Sequence, residues 1–564
     1  MQKRWNINDN IDYQAVNSLA QDLGVSTLIA KMLVQRGVNT YNEAKDFFRP
    51  SLENLHNPFL MKGMQNAIDR IFVALENNEK IMIYGDYDVD GTTSVALVYS
   101  YFSRFYNNIG FYIPDRYKEG YGISFDGIDF AADNDFKLII ALDCGIKAID
   151  KIEYATKKGI DFIICDHHLP GAEVPKAVAV LDPKQSDCSY PYKELSGCGI
   201  GFKLVQALAS QSEDLPQDFY DLLDLAVVSI AADIVPITGE NRILAHFGLN
   251  QLNTNPRNGF KAIMELVGVK KELTISDIVF TIAPRINAAG RLESGNMAVE
   301  LLLTDTVLSA TESGAGLNLV NTERKTIDTQ ITLEAFAMIE NDEVRLKQKS
   351  TVLFNGDWHK GVVGIVASRL TERFYRPTIV LTESNGLVTG SARSVKDFDV
   401  YNAIEACSEL LEQFGGHKYA AGLTLKPENL EAFQNKFEEV VQSTIQEYML
   451  TPEIEIDAEI ELKDIDGKLY RILKQFAPFG PGNMSPVFLT KHLTDFGNAK
   501  IIGEKHLKFD AWDAKANISF PAIAFGFADK YDNVTKGSFD LCYSIEENNY
   551  RGLTTLQFVV KDIR

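Results

Sequence analysis

From residue 80 onward the chain sets short apolar runs, KIMIY, IGFYI, KLIIAL, IDFIIC and AVAVL, between stretches of helical periodicity such as TTSVALVYSYFSRFY. Strands that alternate with helices are joined by crossovers rather than hairpins, so this order predicts βαβ units and a mainly parallel sheet. Three of the runs finish in groups that a sheet interior does not tolerate. KIMIY leads into GDYDVDG with Asp86, Asp88 and Asp90, LIIAL into Asp143, and DFIIC into Asp166, His167 and His168. In an open parallel sheet ligands bind beyond the carboxyl ends of the strands, so these groups are expected to meet in one crevice.

If the chain stays extended past KIMIY, the three aspartates of GDYDVDG point to one side. Converging carboxylates raise one another's pKa unless a cation neutralises them, which predicts a bound divalent metal. A solvated acidic turn has the same local appearance. Gly91 permits a tight turn, and Thr92, Thr93 and Ser94 open a helix whose first amides favour anions. His167 and His168 follow their strand, where a turn can aim one at the metal and leave the other for substrate. Asp233, at the end of LAVVSIAAD, reads as a helix boundary or as a further acidic ligand.

A chain of 564 residues exceeds what one core usually serves. Residues 1–75 read as short amphipathic helices packed on a catalytic domain at 76–310. A long exposed helix at 311–349 connects it to a second α/β domain at 350–450, and 453–564 alternates apolar and polar residues as a small β-barrel does. In the second α/β domain GSARS and GGH read as glycine turns presenting Ser391, Arg393, Gly415, Gly416 and His417 to an anion, with plain turns as the competing reading. No apolar run approaches a membrane span, no leader is evident, and six cysteines without a CxxC pair suit a reduced compartment, so a cytoplasmic location is expected. The net charge of -21 lowers the expectation of a nucleic-acid partner, although a local basic groove is compatible with it.

Taken together, GDYDVDGTTS, LDCG, CDHH and AADIVP resemble the successive motifs of the DHH phosphoesterase superfamily. YIPDRYKEGYG, APRINAAGRL, HKGVVGIVASRL, GSARS, GGHKYAAG and PFGPGN resemble its single-stranded-DNA-specific exonuclease branch over nearly the whole length. The resemblance implies two divalent ions, Mn2+ or Mg2+, on Asp86, Asp88, Asp90, Asp143, His167 and Asp233. Asp143 would bridge them, with the direct role of Asp86 or Asp88 left open. It implies that Asp166 orients the histidines and that His168 faces the phosphate. It also implies that Arg116, Arg285, Arg291, Arg369, Ser391, Arg393, Gly415, Gly416 and His417 bind substrate from the catalytic and DHH-associated domains, with structural ion pairs as the alternative for the arginines. The terminal segment would be an OB-fold on which Phe476, Phe479, Phe496 or Phe509 stacks bases. The implied activity is 5′→3′ exonucleolytic hydrolysis of single-stranded DNA to mononucleotides, in recombination and repair; large domains arranged around one cleft favour a monomer. A single-strand-binding protein or a helicase would be its protein partner. A small-molecule DHH phosphoesterase and an inactive DNA-binding scaffold are the rival readings.

Overall fold

The computed structural model describes residues 2–550 and 552–564, and the chain divides into two compact units. One comprises Ile11–Asn321 together with Gly467–Ser485; the other comprises Met1–Asn10, Thr322–Asp466 and Pro486–Arg564. Among the described residues no helix is long and apolar enough to cross a membrane.

The first unit is built on a parallel five-stranded sheet in the spatial order Ile109–Tyr112, Lys80–Gly85, Phe136–Leu142, Asp161–Cys165, Ala179–Leu181. Its central strands are apolar on both faces because helices cover both. Helix Val89–Phe102 and helix Gly197–Ala209 pack against each other on the side of the largest core, while Tyr84, Ile139, Phe162 and Ile164 belong to a second core on the opposite face. The chain leaves Lys80–Gly85 toward one edge and returns on its other side as Phe136–Leu142. The topological switch point therefore lies between the strands that end just before Asp86 and Asp143.

Gly467–Ser485, expected in the terminal domain, belongs to this unit. The reason is long-range. Arg242 reaches the carbonyls of Phe476 and Ala477 at 2.9 and 3.0 Å, and also that of Phe47. Arg36 donates to Asn483 Oδ1 at 2.9 Å, and Phe476 packs edge-on against Phe47 and Phe48.

The second unit holds two sheets of consequence. The first runs Gln413–His417, Ala420–Leu425, Leu387–Arg393, Thr378–Ser384, Thr351–Phe354, with only the last pair parallel. GSARS and GGH, expected as turns, are strand segments within it. Gly390 is needed because a Cβ there would sit 2.1 Å from the Val380 carbonyl oxygen. The second sheet closes into a ring: Phe488–Asp495, Phe539–Tyr550, Leu553–Ile563, Ile518–Ala524, His506–Asp513, and back to Phe488–Asp495 through Thr494 and Trp512. Closure removes the strand edges, and Phe509, Phe539, Tyr543 and Phe558 fill the interior. The first residues, expected to be helical, form strand Arg4–Ile7, which pairs in parallel with Glu453–Ile456.

The connecting helix runs Val307–Glu340, and the unit boundary falls inside it. It is less exposed than its polarity suggests, since Ala310, Leu317, Ile331, Ala335 and Ile339 are buried along it.

Candidate active site at the carboxyl edge of the parallel sheet

Asp86 follows Lys80–Gly85 directly, and the extended run expected through Asp90 does not form. Helix Val89–Phe102 begins instead, with Asp88 as its N-cap accepting the Gly91 amide at 3.0 Å and Asp90 in the first turn. Convergence is achieved by a strand-to-helix turn so tight that a Cβ on Gly91 would lie 2.4 Å from the Asp86 carbonyl oxygen. Thr92, Thr93 and Ser94 donate their hydroxyls back to main-chain carbonyls, so those hydrogens are not offered to an anion. Asp143 follows its strand at φ +60°, in the left-handed region that non-glycine residues adopt uncommonly and aspartate more readily than most.

Asp90 is buried, and both its carboxylate oxygens accept hydrogen bonds. Oδ2 accepts the Gly197 amide at 2.7 Å, and Oδ1 accepts the Cys198 amide at 2.8 Å and the Ser229 hydroxyl at 2.6 Å. Gly197 opens its helix against Asp143, where a Cβ would come within 2.6 Å of the Asp143 Cβ. Asp233 caps the C-terminus of helix Leu223–Ala232, as its boundary position suggested, and its carboxylate also faces the centre of the cluster.

His167 stands in the middle. Its Nε2 lies 3.2 Å from Asp143, 3.5 Å from Asp233 and 3.7 Å from Asp90. Ligand atoms of Asp90, His167 and Asp233 fall within 4.8 Å of one another, and so do those of Asp143, His167 and His168. His167 is thus common to both groups, and the Asp86 and Asp88 carboxylates belong to neither. Asp166 accepts the amides of Ile146, His167 and His168 and holds Nδ1 of His168 at 2.7 Å, leaving the other edge of that half-exposed ring outward beside Tyr121.

The electrostatics expose what the cluster lacks. Burial, and then the Asp88 charge, pushes the Asp86 carboxyl well above the usual range. Burial together with Asp90 and Asp88 does the same to Asp143. Burial lowers the His167 pKa to about 4. Burial opposes the charge of His168 too, but the Asp166 hydrogen bond and charge outweigh it and raise its pKa to about 9. Both oxygens of Asp86, Oδ1 of Asp143 and both ring nitrogens of His167 are buried without a well-directed hydrogen bond among the described residues; the Tyr87 and Gly122 amides ease the Asp86 charge. Buried acceptors in that state are costly unless a cation takes them. The donor set, carboxylate oxygens with imidazole and no thiolate, suits a hard divalent ion such as Mn2+ or Mg2+.

The basic residues expected to bind substrate divide into groups. In the first unit Arg116 lies 5.0 Å over the Tyr87 ring, and its charge, with that of Arg291, is felt by Tyr87 beside Asp86. Arg285 is buried and donates to Asn318 Oδ1 at 3.0 Å. In the second unit Arg369 is paired with the buried Asp328 at 2.7 Å, the structural ion pair that was its alternative reading. Ser391 and Arg393 share one face of their strand, close to Gly364 at the start of helix Val363–Phe374; a Cβ on Gly364 would meet an Arg393 guanidinium nitrogen at 3.0 Å and Ser391 Oγ at 3.3 Å. Among the described residues no carboxylate pairs with Arg393, and burial lowers its pKa. Gly415 borders open space, Gly416 lies in the strand opposite Ala421 at φ +145°, and His417 is exposed. Phe476 and Phe509 are buried and unavailable for stacking, whereas Phe496 is 56% exposed beside Trp512.

Sequence reasoning missed the supports of Asp90: the Gly197 and Cys198 amides and Ser229. The signal for the first two was present in SGCGIG, a serine cap followed by glycines. It also missed Asp182, which follows strand Ala179–Leu181 as the other aspartates follow theirs and whose pKa burial raises to about 7.

With aspartates and histidines gathered at the switch point of a doubly covered parallel sheet, the chain is of the DHH class, whose family N-terminal domain matches residues 80–230. A DHHA1 domain matches 347–443 and a RecJ OB domain 456–562. The single-stranded-DNA-specific exonuclease RecJ of Bacillus subtilis (strain 168) is 36% identical over 567 residues, covering 99% of this chain and 70% of the relative. That of Escherichia coli (strain K12) is 31% identical, covering 95% of each. The crystal structure of RecJ from Thermus thermophilus in complex with Mn2+ superposes with a TM-score of 0.85 at 26% identity, over 100% of this chain and 79% of that one; the corresponding Mg2+ complex gives 0.79 at 25% identity. The chain belongs to the RecJ family of single-stranded-DNA-specific exonucleases.

Proposed function

We propose that this chain is a divalent-metal-dependent exonuclease that hydrolyses single-stranded DNA from the 5′ end and releases 5′-mononucleotides. The observation that carries the metal requirement is the buried set of unpartnered acceptors on Asp86, Asp143 and His167. Asp90, Asp143, His167 and Asp233 would hold one or both ions, with Asp86 and Asp88 completing the set. When bound, two divalent ions supply Lewis acidity and a water of lowered pKa for in-line attack on phosphorus.

The side chains do the rest. His168, fixed through Nδ1 by Asp166, offers its outer edge to a phosphate oxygen. Arg116 and Arg291, beside Tyr87, are placed to neutralise a substrate phosphate, and the proposed polarity is taken from the similarity to the family. Ser391 and Arg393 bind a backbone phosphate, a reading supported by an arginine that has no carboxylate partner among the described residues. Phe496 offers an exposed ring to a base.

The test is direct. A single strand labelled separately at each end is incubated with Mn2+, with Mg2+ and with EDTA. Loss of the 5′ label first, as mononucleotide, and only with a metal present, is expected. Equal loss of both labels refutes the polarity, undiminished activity in EDTA refutes the metal, and faster turnover of free dinucleotides than of long strands points to a small-substrate phosphoesterase.

A further inference from the structure

Ser229 lies in helix Leu223–Ala232, and its side chain is wholly buried. Its Oγ is 2.6 Å from Oδ1 of Asp90 and 2.6 Å from Oγ of Ser196, the N-cap of helix Gly197–Ala209. Its carbonyl accepts the amide of Asp233 at 2.9 Å. One residue therefore touches two carboxylate-bearing positions of the cluster and the helix that supports a third, Asp143.

The hydrogen positions follow from valence. An ionised carboxylate only accepts, and a hydroxyl has one hydrogen to give. The Ser229 hydrogen therefore goes to Asp90, and the hydrogen between the serines comes from Ser196. Ser196 Oγ in turn accepts the Gly199 amide at 3.1 Å. A chain of bonds with one direction runs from Gly199 through Ser196 and Ser229 to Asp90, each donor polarised by the one behind it. The Gly197 and Cys198 amides approach Asp90 from the neighbouring helix, so the hydroxyl is the donor that ties its rotamer to the helix bearing Asp233.

We propose that Ser229 is a positioning residue for the metal site: from the helix that ends at Asp233 it orients Asp90 through its hydroxyl, and so sets cation affinity without touching DNA. The inference rests on the divalent-cation reading above.

The experiment is Mn2+ titration of the full-length chain by calorimetry, with steady-state hydrolysis of a labelled single strand alongside. Ser229→Ala is expected to weaken Mn2+ binding by about 10- to 100-fold, the usual effect of removing a group that orients a ligand. KM for DNA should stay unchanged, and saturating Mn2+ should restore most of kcat. Ser229→Thr, which keeps the hydroxyl, should recover most of the affinity. Unaltered Mn2+ affinity in Ser229→Ala overturns the inference, as does a loss of kcat that no concentration of Mn2+ restores. Should Ser229→Ala fail to fold, Ser196→Ala takes its place: it should weaken Mn2+ binding in the same direction but by less, and unchanged affinity there overturns the proposal. A wild-type chain that takes up no Mn2+ would sink the reading of the site itself, an outcome distinct from wild type and variant binding equally well.

Discussion

Replacing Gly197 by alanine tests whether the placement of Asp143 is as tight as its surroundings require. A methyl group at Gly197 would sit 2.6 Å from Cβ and 2.8 Å from Oδ1 of Asp143. Non-bonded carbons rest roughly 3.5–4.0 Å apart, so the helix start and the carboxylate must separate by about 1 Å. Neither yields freely. The first two amides of the helix are held on Asp90, and Asp143 is pinned at positive φ with its amide on the Cys165 carbonyl at 2.8 Å. For the fold as a whole the change is modest: overpacking costs about 1–3 kcal/mol, offset by up to about 1 kcal/mol from alanine's helix propensity. For a reacting centre, a displacement of about 1 Å is worth on the order of 100-fold in rate. Gly197→Ala should therefore lose about 100-fold in kcat/KM on a labelled single strand. Its melting temperature, followed by circular dichroism, should fall by only about 2–8 °C. Activity within about threefold of wild type would refute the reasoning, because Asp143 would then be free to move or have no part in the chemistry.

Asp143→Ala should abolish hydrolysis while strand binding, read by fluorescence anisotropy, stays largely in place; unchanged turnover would remove Asp143 from the site. The two arginines of the second unit should separate cleanly. Arg393→Ala is expected to raise KM for DNA by about 10-fold or more, as loss of a charge-assisted phosphate contact does. Arg369→Ala should leave KM alone and cost roughly 1–3 kcal/mol in denaturant unfolding, because it deprives the buried Asp328 of one of two cationic partners. Lys203 is fully buried with Nζ 3.0 Å from Glu240, which also takes the Tyr190 hydroxyl at 2.6 Å. Lys203→Ala should destabilise the first unit by about 3–5 kcal/mol by stranding the Glu240 charge, and the double variant Lys203→Met with Glu240→Gln should recover much of that loss. A single variant as stable as wild type would mean that Glu240 takes up a proton or meets water.

What was legible in the sequence had a local price attached. An aspartate that closes a short apolar run reads as a strand end that something must neutralise, and Asp86, Asp143 and Asp166 stand where that logic put them. The local pattern misled where it was too short to set a period: DxDxD suggested extended chain, yet Asp88 caps a helix, and the glycines of GSARS and GGH suggested turns, yet they lie in strands. Residues 467–485 lie inside the matched OB-domain span, yet they group with the first unit because their anchors, Arg242 and Arg36, are 233 to 448 positions away in sequence and leave no trace in composition. Ser229 is the limiting case. Within LAVVSIAA it looks like a small residue that a buried helix happens to tolerate, because a serine hydroxyl can bond its own backbone and costs little anywhere. Its partner Asp90 lies 139 positions earlier. A carboxylate in an apolar setting announces a ligand by its own cost, whereas the donor that aims the carboxylate is cheap in isolation, so the supports of such a site become visible only once the fold has brought them together.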